Sequence, residues 1–324
     1  MLSFNEILQR IEAEIKRLRF DCPPAGLYAP IEYILSLGGK RIRPAFVLSA
    51  CNLYSDDIEE AVKPALSLEV FHNFTLLHDD LMDGADRRRG KPTVHTLWND
   101  NTAILSGDAM LIVAYQLISA SGSRYLKALL DLFTATALEI CGGQQYDMEF
   151  ESLTDVTEAD YIEMIRLKTA VLLACGLKMG AIAGDAPAED ADHLYRYGIN
   201  IGLAFQLKDD LLDVYGDPAT FGKNIGGDIV CNKKTFLLVN ALRRADGRQK
   251  EELIRWLDAK TIDPQQKIKA FRALYDRLQL RELTESKIRY FYHEALSHLT
   301  QLHVAEERLV VLNGVSDSLL YRQS

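Results

Sequence analysis

Two apolar segments, LLHDDLMD at residues 76–83 and FQLKDDLLD at residues 205–213, carry the same acidic pattern DDxxD. Their apolar residues predict buried helices, in which carboxylates cost free energy unless a positive group compensates them. Residues four apart lie on one face of a helix, so the first and last aspartates of each copy share a face. Mg²⁺ usually takes one or two carboxylates, with water and phosphate oxygens completing its octahedron. Two such helices facing each other therefore predict a magnesium site that receives a diphosphate.

A solvated acidic helix end would explain either copy of the pattern alone, because acidic side chains are common at helix caps and in first turns. It explains the pair poorly. In a chain of average composition and this length, two copies are expected by chance about once in several hundred sequences. We therefore interpret the pair as a functional feature.

Three basic clusters lie beside these motifs: GGKRIRP at 38–44, RRRGKP at 87–92, and GK at 222–223 with KKT at 233–235. Arginine offers a planar fork that matches phosphate oxygens, whereas lysine acts as a point charge. A glycine turn that enters a helix also points backbone N–H groups at an anion. Each cluster alone would be typical of a solvated basic turn. Together with the acidic motifs they indicate a joint metal and phosphate site.

Five stretches of the chain, in this order, resemble the polyprenyl synthetase family of trans-isoprenyl diphosphate synthases. They are GGKRIRP at 38–44, LLHDDLMDGADRRRGKPTVH at 76–95, GGQQYD at 142–147, LKTA at 167–170 and FQLKDDLLDVYGDPATFGKNIGGDIVCNKKT at 205–235. The resemblance implies a Mg²⁺-dependent prenyltransferase. Such an enzyme condenses isopentenyl diphosphate head to tail with dimethylallyl, geranyl or farnesyl diphosphate, and its product is a short-chain all-trans prenyl diphosphate.

The resemblance also implies a role for each matching residue. Three Mg²⁺ ions would be held by Asp79, Asp83 and Asp209, with Asp80, Asp210 and Asp213 in support. The residues expected to bind the allylic diphosphate are Arg88, Lys168, Lys223 and Lys233. Those expected to bind isopentenyl diphosphate, without metal, are Lys40, Arg43, His72 and Arg89. The reacting centre would be lined by the catalytic residues Lys168, Thr169 and Gln206.

This chemistry explains the residue types. Breaking an allylic C–O bond leaves a delocalised carbocation and a more negative diphosphate, which divalent ions, Lys and Arg stabilise. The isopentenyl double bond then attacks the cation and a proton is lost. The motifs place no His or Glu as a base, so we expect the departing diphosphate to accept that proton. Lys168 and Thr169 could direct a carbonyl dipole and a hydroxyl at the cation.

The residues eight, five and four positions before Asp79 are expected to set product length. They are Phe71, Phe74 and Thr75, and they face roughly the same way on a helix. The chain has an aromatic ring at the fifth position, a small residue at the fourth and no insertion in its first acidic motif. This combination is similar to that of C20 synthases. We therefore expect geranylgeranyl diphosphate as product, with farnesyl diphosphate next.

The composition of the chain indicates which partners and which cellular location to expect. A net charge of -9 argues against nucleic acid as a partner. The five cysteines show no ligand spacing, which favours reduced thiols in a cytoplasmic protein. The first helix lacks the apolar centre of a signal peptide. The most apolar stretch, near residues 103–120, contains Asp108, so the chain is not expected to span a membrane.

Helical patterns run through nearly the whole chain, and no period-2 strand is convincing. We predict helices at residues 2–19, 26–37, 41–54, 57–82, 101–120, 124–150, 158–184, 189–215, 233–245, 248–258, 264–277 and 280–312. The motifs lie in both halves and no Pro/Gly/Ser-rich linker separates them. We therefore predict one all-α domain over residues 1–324, a helical bundle of the isoprenoid synthase type with its active site in a central cavity. The resemblance adds a homodimer.

Two other functions remain open from the sequence. A class I terpene cyclase also uses DDxxD, although its second metal motif normally mixes Asn, Ser or Thr with Glu. A non-catalytic subunit of a heteromeric synthase would be expected to have lost metal ligands or cations, and none is missing from these motifs.

Overall fold

Helices form almost all of the regular structure. The computed structural model describes residues 1–122, 124–216, 225–259 and 263–321. In chain order the helices are α1 (Phe4–Ile15), α2 (Ala25–Ser36), α3 (Ile42–Tyr54), α4 (Glu59–Met82), α5 (Val94–Leu97), α6 (Asp100–Ser119), α7 (Leu126–Ser152), α8 (Glu158–Ile165), α9 (Val171–Ala183), α10 (Ala188–Tyr215), α11 (Gly227–Val230), α12 (Phe236–Arg244), α13 (Gly247–Asp258), α14 (Pro264–Arg277), α15 (Leu280–Leu299) and α16 (Glu306–Tyr321). The predicted all-α class is confirmed.

Contacts within the chain define two compact units. Unit 1 comprises Met1–Thr134, Cys175–Leu194 and His303–Leu312. Unit 2 comprises Ala135–Ala174, Tyr195–Leu302 and Asn313–Ser324. The single domain over residues 1–324 stays a prediction.

The core of unit 1 is built around α4, which packs against α3 and α6. A glycine series at i, i+4 and i+8, Gly176, Gly180 and Gly184, lies against α3 at close range. A Cβ added to Gly184 would lie 2.8 Å from the carbonyl oxygen of Cys51, and one added to Gly180 would lie 2.9 Å from the Cβ of Ala50. Glycine therefore lets this segment approach the backbone of α3 more closely than any other residue would.

The core of unit 2 contains α8, α12 and α15, and α14 packs against α11 and α15. Its buried residues include Met164, Leu207, Phe236 and Ile288. Leu207 precedes the second acidic motif on α10 by two residues. The same packing that forms this core therefore fixes the helix that carries the motif.

A short hairpin corrects the prediction that the chain contains no strand. Strand β1 (Arg87–Arg88) pairs antiparallel with β2 (Lys91–Pro92). Arg89 and Gly90 connect them with φ angles of 51° and 74°. Two successive left-handed residues are typical of a two-residue hairpin turn, and glycine at the second position favours it. Strands of two residues are too short to produce an alternating pattern in the sequence.

The last predicted helix, 280–312, was wrong as one element because α15 ends at Leu299 and α16 begins at Glu306. No glycine or proline lies between residues 280 and 312 to signal the break. The reason is tertiary. Asp190, fully buried, accepts the backbone N–H of His303 at 3.0 Å and lies 2.7 Å from its Nδ1. The hydroxyl of Tyr54 also donates to Asp190, at 3.0 Å. Satisfying this buried carboxylate requires the chain to leave the helix there.

Candidate active site

The first acidic motif ends α4 and presents its aspartates differently. Asp79 is half-buried and Asp83 is exposed. Asp80 is buried, and Arg88 of the hairpin donates Nε and Nη2 to its two oxygens, both at 2.7 Å. Burial raises the pKa of Asp80, and the Arg88 charge opposes that rise. The paired carboxylate thus anchors the hairpin, while Asp79 and Asp83 are the more accessible members of the motif.

Two of the predicted basic clusters meet in unit 1. Arg89 donates to the backbone carbonyl of Gly38. A Cβ on Gly39 would lie 2.8 Å from Nη2 of Arg89, and Gly39 has a φ of 143°. Glycine is therefore favoured there by the backbone conformation, and it lies directly against the guanidinium of Arg89. The exposed Lys40 follows directly on the same loop.

Arg43 and His72, both predicted to bind isopentenyl diphosphate, also lie together, with Nη1 of Arg43 3.1 Å from Nε2 of His72. Burial, followed by the charges of Arg43 and Arg89, lowers the pKa of His72 well below its usual value. The imidazole is therefore neutral and can accept a hydrogen bond from Arg43. This arrangement adds cationic guanidinium groups without adding a charged histidine.

A buried arginine that the sequence analysis passed over holds this loop. Arg41 has a φ of 48° and precedes α3. Its guanidinium donates to Glu69 at 2.5 Å, to Glu12 at 2.8 Å and to the carbonyl of Leu35 at 2.9 Å. Its neighbour Lys40 is positioned as a result. Glu69, a lone acidic residue in an apolar stretch of α4, was the available signal.

The three predicted chain-length residues lie at one end of a series of rings in unit 1. The half-buried Phe74 lies between His78 and Phe71, with ring centroids 4.8 and 5.5 Å away. Phe71, fully buried, meets Phe133 at 5.2 Å, and Phe133 meets Tyr115 at 5.1 Å.

Thr75 contributes no ring, and its hydroxyl donates to the carbonyl of His72 at 2.8 Å. The small side chain therefore leaves the space beside Phe74 without an aromatic group of its own.

The second acidic motif lies near the end of α10, in unit 2. Asp209 and Asp213 are half-buried. Asp213 accepts the backbone N–H of Asp228 on its carboxylate at 3.1 Å. Its carbonyl accepts the N–H of Gly226 at 2.7 Å. Asp213 therefore fixes the segment that leads to Lys233.

Asp210 is buried and fully paired with neutral donors. The hydroxyl of Tyr161 donates to its Oδ2, and Nε2 of Gln206 donates to its Oδ1 at 3.1 Å. Burial, followed by the charge of Asp228, raises the pKa of Asp210 to about 7. Burial and the Asp210 charge raise the pKa of Tyr161 well above its usual value, so the phenol keeps its proton and donates.

Lys168 and Thr169 lie in a π-helical turn, Arg166–Ala170, between α8 and α9. Such turns are frequent at functional sites because they widen the helix and redirect side chains. Two glycines on neighbouring helices leave the space that this π-helical turn occupies. A Cβ on Gly143 would lie 2.7 Å from the carbonyl carbon of Leu167, and one on Gly202 would lie 2.6 Å from the Cα of Ala170. The predicted helix 158–184 is thus interrupted at its two catalytic candidates.

A carboxylate of the GGQQYD stretch orders two predicted phosphate ligands. Nζ of Lys168 lies 2.6 Å from Oδ2 of Asp147, and Nζ of Lys233 lies 3.8 Å from the same oxygen. Burial alone would raise the pKa of Asp147, but the charges of Lys233 and Lys168 outweigh it and lower that pKa. Lys223, the remaining predicted ligand, lies outside the described residues.

The carboxylates of the two acidic motifs suit a Mg²⁺ ion that completes its coordination with water and phosphate oxygens. Within the part of the chain that the structure describes, no three His, Cys, Asp or Glu side chains form a ready-made ligand set. Magnesium is commonly bound by one or two carboxylates with water and substrate phosphates. The pair Asp79 and Asp83 and the pair Asp209 and Asp213 each match that pattern.

Comparison with known proteins is consistent with this chemistry. The polyprenyl synthetase family profile matches residues 24–274. A short chain isoprenyl diphosphate synthase of Methanocaldococcus jannaschii is 39% identical over 263 residues, 81% of this chain and 80% of that protein. A geranylgeranyl diphosphate synthase of Methanosarcina mazei is 39% identical over 249 residues, 75% of this chain and 77% of that protein. A geranylfarnesyl diphosphate synthase of Natronomonas pharaonis is also 39% identical, over 67% of this chain and 69% of that protein.

Solved structures extend the likeness to the whole chain. The crystal structure of a geranylgeranyl pyrophosphate synthase matches with a TM-score of 0.95 and 41% identity, and covers 100% of both chains. The matched family region includes all five motifs. The chain therefore belongs to the polyprenyl synthetase family, the prenyltransferases that make trans-prenyl diphosphates.

Proposed function

We propose that this enzyme condenses isopentenyl diphosphate with allylic diphosphates and that its main product is geranylgeranyl diphosphate. The ring of Phe74 one turn above the first acidic motif, with the small Thr75 beside it, is the observation that supports this length. Relatives named geranylgeranyl diphosphate synthase agree with it. The nearest alternative products are geranylfarnesyl diphosphate, after which two other relatives are named, and farnesyl diphosphate, which the sequence pattern places second.

Magnesium is the proposed cofactor, held by Asp79 and Asp83 in one motif and by Asp209 in the other, with Asp213 as support. Mg²⁺ bound there would neutralise the charge that develops on the departing diphosphate. Three ions per active site is the number that the family resemblance implies. Asp80 and Asp210 are assigned a supporting role, because Arg88 and the neutral donors of unit 2 already occupy their oxygens.

The two diphosphates are proposed to bind different cations. Lys40, Arg43, His72 and Arg89 would bind isopentenyl diphosphate. Arg88, Lys168, Lys223 and Lys233 would bind the allylic diphosphate. Arg88 and Lys168 are each paired with a carboxylate, which keeps the side chain extended and lowers the ordering entropy that substrate binding would otherwise cost.

Thr169 and Gln206 are proposed to face the reacting carbon atoms. The hydroxyl of Thr169 donates to Oε1 of Gln206 at 3.1 Å. The negative end of the hydroxyl dipole is then available to stabilise an allylic cation, as a preorganised dipole does. The carbonyl of Lys168, in the widened π-helical turn, is proposed to add a second dipole. The departing diphosphate accepts the proton that the new product loses.

A second copy of this chain is proposed to cover α6. Among the described residues, α6 is the single helix long and apolar enough to cross a membrane by length and composition. Ile104, Leu105 and Ile112 on it are 46%, 59% and 61% exposed. Asp108 lies on the same exposed stretch, so a protein partner fits better than lipid. The homodimer implied by the resemblance supplies that partner. The cytoplasmic location stays a prediction.

The metal role predicts that Asp79→Ala or Asp209→Ala lowers turnover roughly 10³-fold, about 4 kcal/mol of transition-state stabilisation, with the fold intact. Elongation of isopentenyl diphosphate on an allylic diphosphate measures this, with EDTA abolishing activity and Mg²⁺ restoring it. Asp131→Ala is the control, because Asp131 is an exposed aspartate that pairs with Lys127 in the same helix. More than a tenth of wild-type turnover in both variants would refute the assignment. The same assay separates elongation from cyclisation and from an inactive subunit.

The chain-length assignment predicts that Phe74→Ala gives products beyond C20, because one helix turn of 5.4 Å is about one extended isoprene unit. Phe71→Ala should lengthen them further if the ring forms a second floor. Thr75→Phe is the opposing control and should shorten them. Product chromatography after dephosphorylation measures all three. If none of these variants shifts the distribution, the floor lies elsewhere.

The close contact at Gly143 predicts that Gly143→Ala displaces the π-helical turn and lowers turnover roughly 10-fold or more, because small displacements of reacting groups are costly. Gly142→Ala is the matched control, since nothing lies within 4 Å of its added Cβ. That control should keep wild-type turnover and raise stability by up to about 1 kcal/mol, as expected for Ala replacing Gly in a helix. Equal effects of the two substitutions on turnover would contradict the prediction.

The dimer proposal predicts that Ile112→Glu, or Leu105→Arg, converts a particle of twice the chain mass into one of a single chain. Light scattering after size-exclusion chromatography measures the mass. Val310→Glu on α16, where the side chain is 64% exposed, is the control and should leave the dimer intact. A wild-type protein that elutes as a single chain would refute the proposal.

A further inference from the structure

One buried tyrosine of unit 2 stands at the start of a hydrogen-bond series that ends at the proposed reacting centre. Tyr161, on α8, donates its hydroxyl to Oδ2 of Asp210. Nε2 of Gln206 donates to Oδ1 of Asp210 at 3.1 Å. The hydroxyl of Thr169 donates to Oε1 of Gln206 at 3.1 Å. Two helices, α8 and α10, and the π-helical turn are thereby joined by one polar connection.

The direction of this series follows from the donor and acceptor inventory. Oδ1 of Asp210 accepts the NH₂ group of Gln206, so the carbonyl of Gln206 faces Thr169. The carbonyl of Gln206 also only accepts, so the hydroxyl of Thr169 must donate its one hydrogen to Gln206. The lone pairs of the Thr169 oxygen are then left for another partner. If Gln206 were reversed, its NH₂ group would occupy those lone pairs instead.

We propose that Tyr161 is a positioning residue that fixes the direction of this series and so keeps the negative end of the Thr169 hydroxyl aimed at the allylic cation. The inference rests on the roles proposed above for Thr169 and Gln206. Tyr161 touches neither substrate nor metal in this scheme, and it acts through Asp210 and Gln206.

The geometry around Asp210 explains why the phenol is needed. Asp210 is 4% exposed, so water does not readily replace a lost donor. Removing the hydroxyl leaves Oδ2 without the Tyr161 donor. The carboxylate then competes for the NH₂ group of Gln206 with both oxygens, and the amide loses its fixed orientation.

Packing alone does not account for the hydroxyl. The ring of Tyr161 contacts that of Phe236 with centroids 6.3 Å apart, and a phenylalanine would keep that contact. Tyr161→Phe therefore isolates the hydrogen bond from the ring.

Tyr161→Phe is expected to lower kcat roughly 10-fold while the KM values for isopentenyl and farnesyl diphosphate and the Mg²⁺ requirement stay within about twofold, because only transition-state stabilisation is lost. Thr169→Val is expected to lower kcat roughly 100-fold. The double variant should be no slower than Thr169→Val by more than about threefold, because both changes remove one effect. Tyr197→Phe is the control, since this tyrosine of unit 2 is also fully buried and hydrogen-bonded, to Ser316.

Each outcome decides between the two proposals. Wild-type kcat in Tyr161→Phe, additive losses in the double variant, or an equal loss in Tyr197→Phe would overturn the positioning role alone. A raised KM for the allylic diphosphate or a raised Mg²⁺ requirement would overturn it too, because Tyr161 would then act on binding. Unchanged turnover in Thr169→Val would instead refute the proposed role of Thr169, and the role of Tyr161 with it.

Discussion

The cost of burying a carboxylate is the constraint on which the rest of this structure depends. Four buried acidic groups among the described residues have donors from another segment: Glu69 from Arg41, Asp80 from Arg88, Asp190 from His303 and Tyr54, and Asp210 from Tyr161. Since an unpaired buried charge costs several kcal/mol, these pairings fix the loops that supply the donors. The basic loop before α3 and the hairpin after α4 are held in this way. The packing of the helices thus fixes the positions of this basic loop and of the hairpin.

Within each acidic motif the same cost of burial distinguishes the second aspartate from the first and the last. The middle aspartate is buried and satisfied by protein donors, whereas the first and last are accessible to ligand. The helical period produces this division, because the first and last residues share a face that the second does not. In each motif the second aspartate is therefore an anchor, and the first and last are the more exposed groups.

Close backbone contacts add a second kind of precision. Gly143 and Gly202 let neighbouring segments approach the π-helical turn of unit 2, and Gly39 makes room for the guanidinium of Arg89. A side chain at any of these positions would meet atoms of the candidate site. These glycines act through the space that they leave rather than through chain flexibility, except at Gly39, where the φ of 143° also demands glycine.

Much was determined by the sequence itself. The helical period predicted an all-α fold, and the doubled DDxxD with the basic clusters predicted a metal and diphosphate site, because both patterns lie in residues close together in the chain. The resemblance of five stretches to the polyprenyl synthetase family implied a prenyl diphosphate synthase. Only tertiary structure decided the rest. The break after α15 depends on the distant Asp190, the π-helical turn on Gly143 and Gly202, and the roles of Arg41, Asp147 and Tyr161 on partners more than 20 residues away. Pairing of buried charges and close helix contacts join residues far apart in the chain, so no local pattern could show them.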